Sequence, residues 1–320
     1  MEPTEMAAIA KKAERLGFDS VWVHESLFQR DVVTYICAMA SATSRIRLGS
    51  GVINTFTRHP VAAATTFATL AELSHGRVNF GLGLGSFPTI PLIGHDVFPV
   101  ERTRPLRRIK EYLDVVRSVW SGRPVNFEGE FFRVHNLKLG FELKHRIPVF
   151  VASLSPKTLR YAATAADGVI LSPGFNTAWG VGRMVESVAS GERKAGRNVE
   201  RASYMMASLD RDMEKARRVM REYYFFVYQL AEVVKPEVLV PYGVTEEKLA
   251  PMKEAWSRGM VEEAKRMIPD EAIDALTICG DGDTAIARIK EHLDRGVTLP
   301  ILMPIGNVDY AMTELAPGGG

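Results

Sequence analysis

Residues 152–157 read Ala-Ser-Leu-Ser-Pro-Lys, an order of residue types that can build an anion site. Ser155 can cap a helix and Pro156 can occupy its first position, so the amides that follow point outward with no partner inside the helix. Such a start is partially positive and attracts phosphate, and Lys157 adds a full charge in the same place. The same residues also make an ordinary capped helix with a solvated lysine, and local sequence does not choose between the two.

A second stretch, Gly81-Leu82-Gly83-Leu84-Gly85, has the spacing G-x-G-x-G rather than G-x-G-x-x-G, and no helix begins on its third glycine. That excludes a dinucleotide loop. Glycines at alternate positions leave one face of a strand bare, so a flat ring or a packed neighbour can come close to the backbone. A doubled glycine recurs in Leu48-Gly49-Ser50-Gly51-Val52-Ile53-Asn54, followed by Thr55-Phe56-Thr57-Arg58-His59-Pro60. Pro60 starts the next helix, which leaves Arg58 and His59 on the turn above the strand. There they can face an anionic or polar substrate, or serve as a rim ion pair and a loop hydrogen-bonder. His24 and Glu25 follow an apolar strand and reach its mouth, where a carboxylate can do acid/base work. Adjacent strand residues point oppositely, so the two do not act as a pair. No HExxH, paired-cysteine or clustered-carboxylate spacing points to a metal, and no G-x-S-x-G elbow points to a hydrolase.

The elements that must position these residues alternate between short, nearly all-apolar runs and helical patterns. Strands are expected at Asp19–His24, Ile46–Ile53, Arg77–Leu84, Pro148–Ala152, Gly168–Ser172, Ala202–Leu209 and Thr298–Met303. Runs apolar on both faces belong to a parallel sheet covered by helices. Helices are expected from Pro3 to Leu16, from Asp31 with Val32, Ile36 and Met39 facing inward, and from Pro60 to Leu73 with Ser74-His75-Gly76 as the stop. Another opens at Pro105 with Leu106, Ile109, Leu113, Val116 and Trp120 inward and Arg107, Arg108, Lys110, Glu111 and Asp114 on the wet side. A late helix opens at Asp283 with Ile286, Ile289 and Leu293 as its apolar stripe.

Repeated strand–helix–strand units favour a TIM-type (β/α)8 barrel in a single domain over residues 1–320. Residues 122–147 are expected to form a rim hairpin and 210–282 a mostly helical insertion, a flap or dimer surface. Seven strands are found where a closed barrel needs eight, so the first strand reads as missing: either the true start lies upstream, or the strand is absent and the barrel is open there. In such a barrel the loops after the strands build the site, which nominates 24–30, 51–60, 83–98, 152–158, 172–177, 209–213 and 303–307.

Composition supports a packed core, with 46% apolar residues in a chain of 320. The 40 basic and 38 acidic residues are interleaved, which gives no electrostatic case for nucleic acid. Cys37 and Cys279, each placed in or beside a helix, read as reduced, packed thiols. No apolar run reaches membrane-spanning length and the start lacks a signal-like segment, so the expected compartment is the cytoplasm, with no membrane partner.

Several segments together resemble the luciferase-like oxidoreductase superfamily, most closely its deazaflavin-dependent branch. "AERLGFDSVWVHESL" resembles that family's second-strand motif, and "ATSRIRLGSGVINTFTRHPV" its third, with particular similarity to methylenetetrahydromethanopterin reductases. "FATLAELSHGRVNFGLGLGS" resembles the fourth βα unit, "EGEFFRVHNLKL" the rim insertion, "IPVFVASLSPKTLRYAATAADGVILSPG" the phosphate unit and "GDGDTAIARIKEHLDRGV" the late helix.

The resemblance implies a barrel that binds coenzyme F420, or FMN as in the oxygenase branch. It places a non-prolyl cis peptide at Gly51–Val52 as a bulge behind the cofactor ring, and Gly83 and Gly85 near the ring or its tail. Ala152, Ser153, Ser155 and Lys157 would surround the phosphate, with Ser26, Asn54 and Ser172 as further cofactor contacts. Phe56, Arg58, Ser86 and Phe87 would face a small-molecule substrate, and Glu25 and His59 are the candidate catalytic groups. Implied, too, are hydride transfer, with a reduced pterin carrying a one-carbon unit suggested by "TRHP", and a homodimer or higher homo-oligomer. The family's acidic–His pair after the second strand reads Glu25-Ser26 here, and Ser86 stands where some members place a carboxylate. Two rival readings stay open: an FMN-dependent monooxygenase, and a flavin- or deazaflavin-binding protein without catalysis.

Overall fold

The structure, a computed structural model, describes residues 1–25, 29–85, 91, 94–95, 100–174 and 177–317. Contacts divide the chain into two compact units, one of residues 1–169 and 191–199 and one of residues 170–190 and 200–320.

The first unit runs α1 (Pro3–Arg15), β1 (Ser20–Val23), α2 (Val32–Ala42), β2 (Arg47–Ser50), β3 (Ile53–Asn54), α3 (Pro60–Leu73), β4 (Val78–Gly83) and α4 (Pro105–Trp120). It continues through β5 (Val125–Glu128), β6 (Arg133–Leu137), β7 (Val149–Ala152) and α5 (Pro156–Ala165), and the chain leaves it within β8 (Gly168–Gly174). The β1–β2, β2–β4, β3–β4 and β4–β7 pairs are all parallel. The hairpin expected in 122–147 is the antiparallel pair β5–β6.

Local sequence accounts for most of these bounds. Asp31 accepts from the Thr34 amide at 2.8 Å and so starts α2, whose Val32, Ile36 and Met39 are buried. Pro60 opens α3, and His75 and Gly76 end it with φ of 53° and 82°, left-handed values that no helix continues. The strand expected at 46–53 is divided into β2 and β3 by a cis Gly51–Val52 peptide. On α4, Ile109, Leu113 and Val116 are buried as their spacing requires. Glu111 departs from its expected place on the wet side: it is only 3% exposed, because it accepts from the amides of Glu130 and Phe131 at 3.1 and 2.8 Å. A carboxylate that satisfies backbone donors can be buried where an unpaired one cannot.

Glu14 on α1 does the same for the turn before β2, accepting from the amides of Ser44, Arg45 and Ile46 at 3.0, 2.6 and 2.9 Å. Burial pushes its pKa up, but the three amides and the Arg45 cation outweigh that and bring it from 4.5 down to about 2. A carboxyl held low in the folded state stabilises above its unfolded pKa and loses that contribution as pH falls through the folded one. Glu14→Gln is therefore expected to be less stable than the wild type at pH 7, by about 1–2 kcal/mol. The difference should close between about pH 5 and pH 2 in urea titrations at stepped pH, and a gap constant over that range would contradict the assignment.

The second unit holds most of α6 (Ala178–Ala195), then β9 (Glu200–Leu209), α7 (Met213–Glu222), α8 (Tyr224–Glu232), α9 (Glu246–Ser257), α10 (Val261–Arg266) and α11 (Asp270–Leu276). It closes with β10 (Ile278–Gly280), α12 (Gly282–Asp294), β11 (Leu299–Pro304) and α13 (Val308–Glu314). β9 pairs in parallel with both β11 and β10. Residues 210–282 are mostly helical, as expected, around a core that includes Phe226, Leu230, Leu249, Met252 and Ile273.

Two expectations fail here, the start and the apolar stripe of α12. Cys279, expected in or beside a helix, lies in the three-residue strand β10 between α11 and α12. Helix α12 is capped by Asp281, which accepts from the Thr284 amide at 2.9 Å, and not by Asp283. Its Ile286 and Leu293 are 53% and 41% exposed, while Gly282, Ala285 and His292 turn inward. The small residues let the helix lie close to its neighbours, and that contact outweighs the stripe of larger ones.

Parallel strands followed by helices in both units give the TIM-type (β/α) barrel class. Among the described residues β1 pairs only with β2 and β11 only with β9, and no strand precedes β1. Among the same residues no helix is long and apolar enough to cross a membrane.

Candidate active site

The alternate glycines of β4 face the bulge between β2 and β3. Ser50 is fully buried there, donating to the Gly81 carbonyl at 3.0 Å and accepting from the Gly81 amide at 2.9 Å. A Cβ on Gly81 would run into the Ser50 carbonyl oxygen, and one on Gly83 would lie 2.7 Å from Val52 Cγ2. The space left bare on β4 is thus occupied by the Ser50 carbonyl and the Val52 side chain. The glycines seat the Gly51–Val52 bulge, and it is the bulge that presents a surface to the mouth. Gly85, at φ 82°, packs against Asn54 in the same way, a Cβ there lying 2.7 Å from that of Asn54.

Asn54, at the end of β3, is buried and organises the loop after it. Its Oδ1 accepts from the amides of Phe56 and Thr57 at 3.0 and 2.8 Å, and its Nδ2 donates to Glu25 Oε2 at 2.7 Å. Glu25 also accepts from the Asn54 amide at 3.1 Å, Thr57 Oγ1 at 3.2 Å and Arg58 Nε at 2.7 Å. Arg58 reaches on to Asp31, the cap of α2. Burial opposes the Arg58 charge, and the paired Glu25 and Asp31 more than restore it, so its pKa stands above the ordinary arginine value. Tyr112, buried on α4, donates to the Arg58 carbonyl at 3.0 Å.

Glu25 therefore spends its acceptor sites on four donors and fixes the loop after β3. Replacing it by glutamine keeps the shape but sets an amide against the Arg58 guanidinium. Asp31 remains as a partner, so the expected loss is about 2 kcal/mol rather than the larger cost of stripping a buried pair. Denaturant unfolding of Glu25→Gln checks this, and a loss below about 0.5 kcal/mol would contradict it.

His59 stands at the start of α3, where its Nδ1 accepts from the Val61 amide at 3.3 Å and its ring meets Phe132 edge-on, centroids 5.7 Å apart. Desolvation holds its pKa below the ordinary value. With Nδ1 accepting, the neutral ring carries its proton on Nε2.

The expected anion site is at the end of the neighbouring strand. Leu82 pairs with Val151, which sets Gly83 beside Ala152, and a Cβ on Gly83 would lie 3.4 Å from that of Ala152. Three residues on, α5 begins with Ser155 before it and Pro156 at its first position. The cap expected of Ser155 is not made, since its side chain forms no capping hydrogen bond, whereas Asp31 caps α2 and Asp281 caps α12. The Ser155 amide donates instead to Ser153 Oγ at 3.0 Å, leaving the Ser153 hydroxyl proton free to turn outward. Lys157 is exposed, with no ion pair among the described residues. The bulge and the uncapped helix start thus share one rim of the first unit.

These positions lie within a wider sequence match. The family model of the luciferase-like monooxygenases covers residues 1–299. The chain belongs to that family.

Among the curated members it is 31% identical over 314 residues to the 5,10-methylenetetrahydromethanopterin reductase of Archaeoglobus fulgidus, covering 96% of this chain and 91% of that one. It is 28% identical over 311 residues to the F420-dependent glucose-6-phosphate dehydrogenase of Amycolatopsis mediterranei, covering 92% and 86%. The solved structure of the coenzyme F420 dependent tetrahydromethanopterin reductase from Methanopyrus kandleri superposes with a TM-score of 0.82 at 26% identity, over 95% of this chain and 90% of that one. The resemblance read from the motifs to this family and to its F420-dependent members is borne out.

Of the positions the family resemblance singled out, Gly51, Val52, Asn54, Gly83, Gly85, Ala152, Ser153, Ser155 and Lys157 gather on this rim, with Glu25, Phe56, Arg58 and His59 on the loops beside it. Ser26, Ser86 and Phe87 lie outside the described residues, as does the side chain of Ser172 on β8. In the second unit an open cleft lies at the ends of β9 and β11, its lining drawn from the nominated loops by Asp210, Arg211, Asp212 and Asn307 and from the helices after them by Lys215 and Tyr310. Asp31 reads in the sequence only as the start of a helix, and the site roles of Ser50, Thr57 and Tyr112 escaped that reading. Ser50 alone left a signal, a small polar residue between two glycines at a strand end.

Proposed function

We propose that this chain is a coenzyme F420-dependent oxidoreductase that moves a hydride to or from a small organic substrate, with a methylene-tetrahydropterin as the leading substrate class. The carrying observation is the uncapped start of α5, with Lys157 on it, set beside the Val52 bulge on one rim. Identity of about a third to a methylenetetrahydromethanopterin reductase over nearly the whole chain supports the same reading.

The residues present fit the cofactor. The amides of Lys157 and Thr158, the Ser153 and Ser155 hydroxyls and the Lys157 ammonium form a donor set for a phosphate diester. Val52 and Gly51 would back a planar ring, with Gly81 and Gly83 giving the bulge room. When bound, the deazaflavin supplies the hydride chemistry at its C5. The chain's own part is placement and exclusion of water. Asn54 holds the loop that carries Phe56, Glu25 and Asp31 hold Arg58 in place, and His59 offers its Nε2 proton at the mouth. Glu25 acts in this scheme by positioning rather than by proton transfer, because every contact it makes uses it as an acceptor. The free thiols Cys37 and Cys279 suit a reducing compartment and support a cytoplasmic enzyme.

The test is anaerobic incubation of the purified protein with reduced or oxidised F420 and a methylene- or methyl-tetrahydropterin, following the visible deazaflavin band. A change that requires protein, cofactor and pterin together is expected. Binding of F420 without turnover on pterins, alcohols or sugar phosphates would favour the non-catalytic alternative, and turnover with reduced FMN and oxygen the monooxygenase.

A further inference from the structure

Arg108, on the first turn of α4, is not the solvated residue its helical position suggests. Its guanidinium lies between two phenyl rings, 4.4 Å from the centroid of Phe56 and 4.1 Å from that of Phe131, with Phe132 at 5.9 Å. Among the described residues it has no ion pair and no hydrogen bond, and its Nε is shut off from solvent. Only Nε is so enclosed, which leaves the terminal nitrogens in reach of solvent.

The nearby carboxylates are committed elsewhere. Glu111 takes Arg107 and the amides of Glu130 and Phe131, and Glu130 takes Arg104 at 2.7 Å. Burial draws the Arg108 pKa below its ordinary value, with Glu111 and Glu130 pulling the other way. The start of α4 has no side-chain cap, so its first amides add partial positive charge in the same place. A half-desolvated cation with no counter-charge of its own is unfavourable unless something else provides one. Phe56, which forms one wall, stands two residues beyond Asn54 on the loop of the candidate active site. Aromatic walls fix the guanidinium plane and leave its edge as a fork for a carboxylate or phosphate.

We propose that Arg108, held between Phe56 and Phe131, is an anion subsite that anchors a carboxylate or phosphate carried by the substrate, away from its reacting carbon. This rests on the reading of the site as that of an F420-dependent oxidoreductase with a small organic substrate, and adds to it that the substrate is anionic.

Isothermal titration of the full chain with inorganic phosphate and with glutarate, at fixed ionic strength, tests it. Wild type, Arg108→Met, Arg108→Lys and a Lys157→Glu background are compared, each with and without saturating F420. Saturable binding of at least one anion is expected in wild type and in Lys157→Glu, persisting with F420 bound. Arg108→Met should weaken it about tenfold or more, and Arg108→Lys less, since lysine keeps the charge but not the fork. F420 affinity should stay within about twofold in both Arg108 variants, given that the cofactor's phosphate lies elsewhere. Preference for phosphate would indicate a phosphorylated substrate, and preference for glutarate a carboxylated one. Equal anion affinity in wild type and Arg108→Met, displacement of the anion by F420, or loss of F420 affinity with Arg108→Met would each overturn the proposal. If no variant binds F420, the cofactor reading fails, and the comparison of Lys157→Glu with and without Arg108→Met still decides the subsite. Should Arg108→Met not fold, Arg108→Lys carries the comparison.

Discussion

Gly81→Ala is expected to abolish or nearly abolish accumulation of folded protein, with a loss of at least about 3 kcal/mol where enough survives to measure. The added methyl would meet a backbone carbonyl, that of Ser50, and a backbone atom cannot rotate away as a side chain can. Ser50 is pinned by hydrogen bonds on both sides of the same glycine, so relief requires displacing β2 from β4. Any folded remnant should also bind F420 poorly, because the Gly51–Val52 bulge leans on this contact. Gly140→Ala is the matched control: a Cβ there meets nothing within 4 Å, and the change should stay within about 0.5 kcal/mol. Thermal unfolding of the two variants side by side settles it, and a Gly81→Ala protein as stable as wild type would remove the stated reason for the bare strand face.

Lys157→Glu is expected to weaken F420 binding by about 30- to 100-fold with little effect on stability. The lost charge-assisted contact is of order 1.5–3 kcal/mol, and the new carboxylate opposes the phosphate across the same helix start. Lys157 is exposed and has no ion pair among the described residues, so folding does not depend on it. Part of the effect must be salt-sensitive for the same reason. Lys138→Glu, a charge reversal on an exposed position after β6, should change F420 affinity by less than about twofold. Fluorescence titrations at two ionic strengths check both the size and the salt dependence. Equal affinities for wild type and Lys157→Glu would place the phosphate elsewhere.

What the sequence made legible was whatever local chemistry decides. Alternating glycines, the Ser-Pro-Lys helix start, the Asp31 cap and the Ser74-His75-Gly76 stop depend on neighbours within a few residues, and all lie at the ends of elements placed to within a residue or two. Contacts between distant segments were not legible. Glu111 and Arg108 sit on the polar side of α4 by periodicity, yet one is buried by two amides from the rim hairpin and the other by rings from two different loops. The filling of the glycine face by Val52 is of this kind, since nothing in 81–85 reveals that a bulge thirty residues earlier occupies it. In α12 the error ran the other way: Ile286 and Leu293 look like a core face, and the small Gly282 and Ala285 won because they permit closer approach. Glu25 shows the limit at the site itself. Its residue type suggested acid/base work, and only the positions of Asn54, Thr57 and Arg58 reveal a carboxylate committed to holding a loop.

All of this converges on the proposal that the Val52 bulge backs an F420 ring while the start of α5 takes its phosphate. Titration of purified protein with F420 and, separately, with FMN, followed by fluorescence quenching, addresses that most directly. One F420 per chain at micromolar or tighter affinity, weakened by Lys157→Glu and not matched by FMN, is the predicted result. Saturable FMN binding with no measurable uptake of F420 would contradict it.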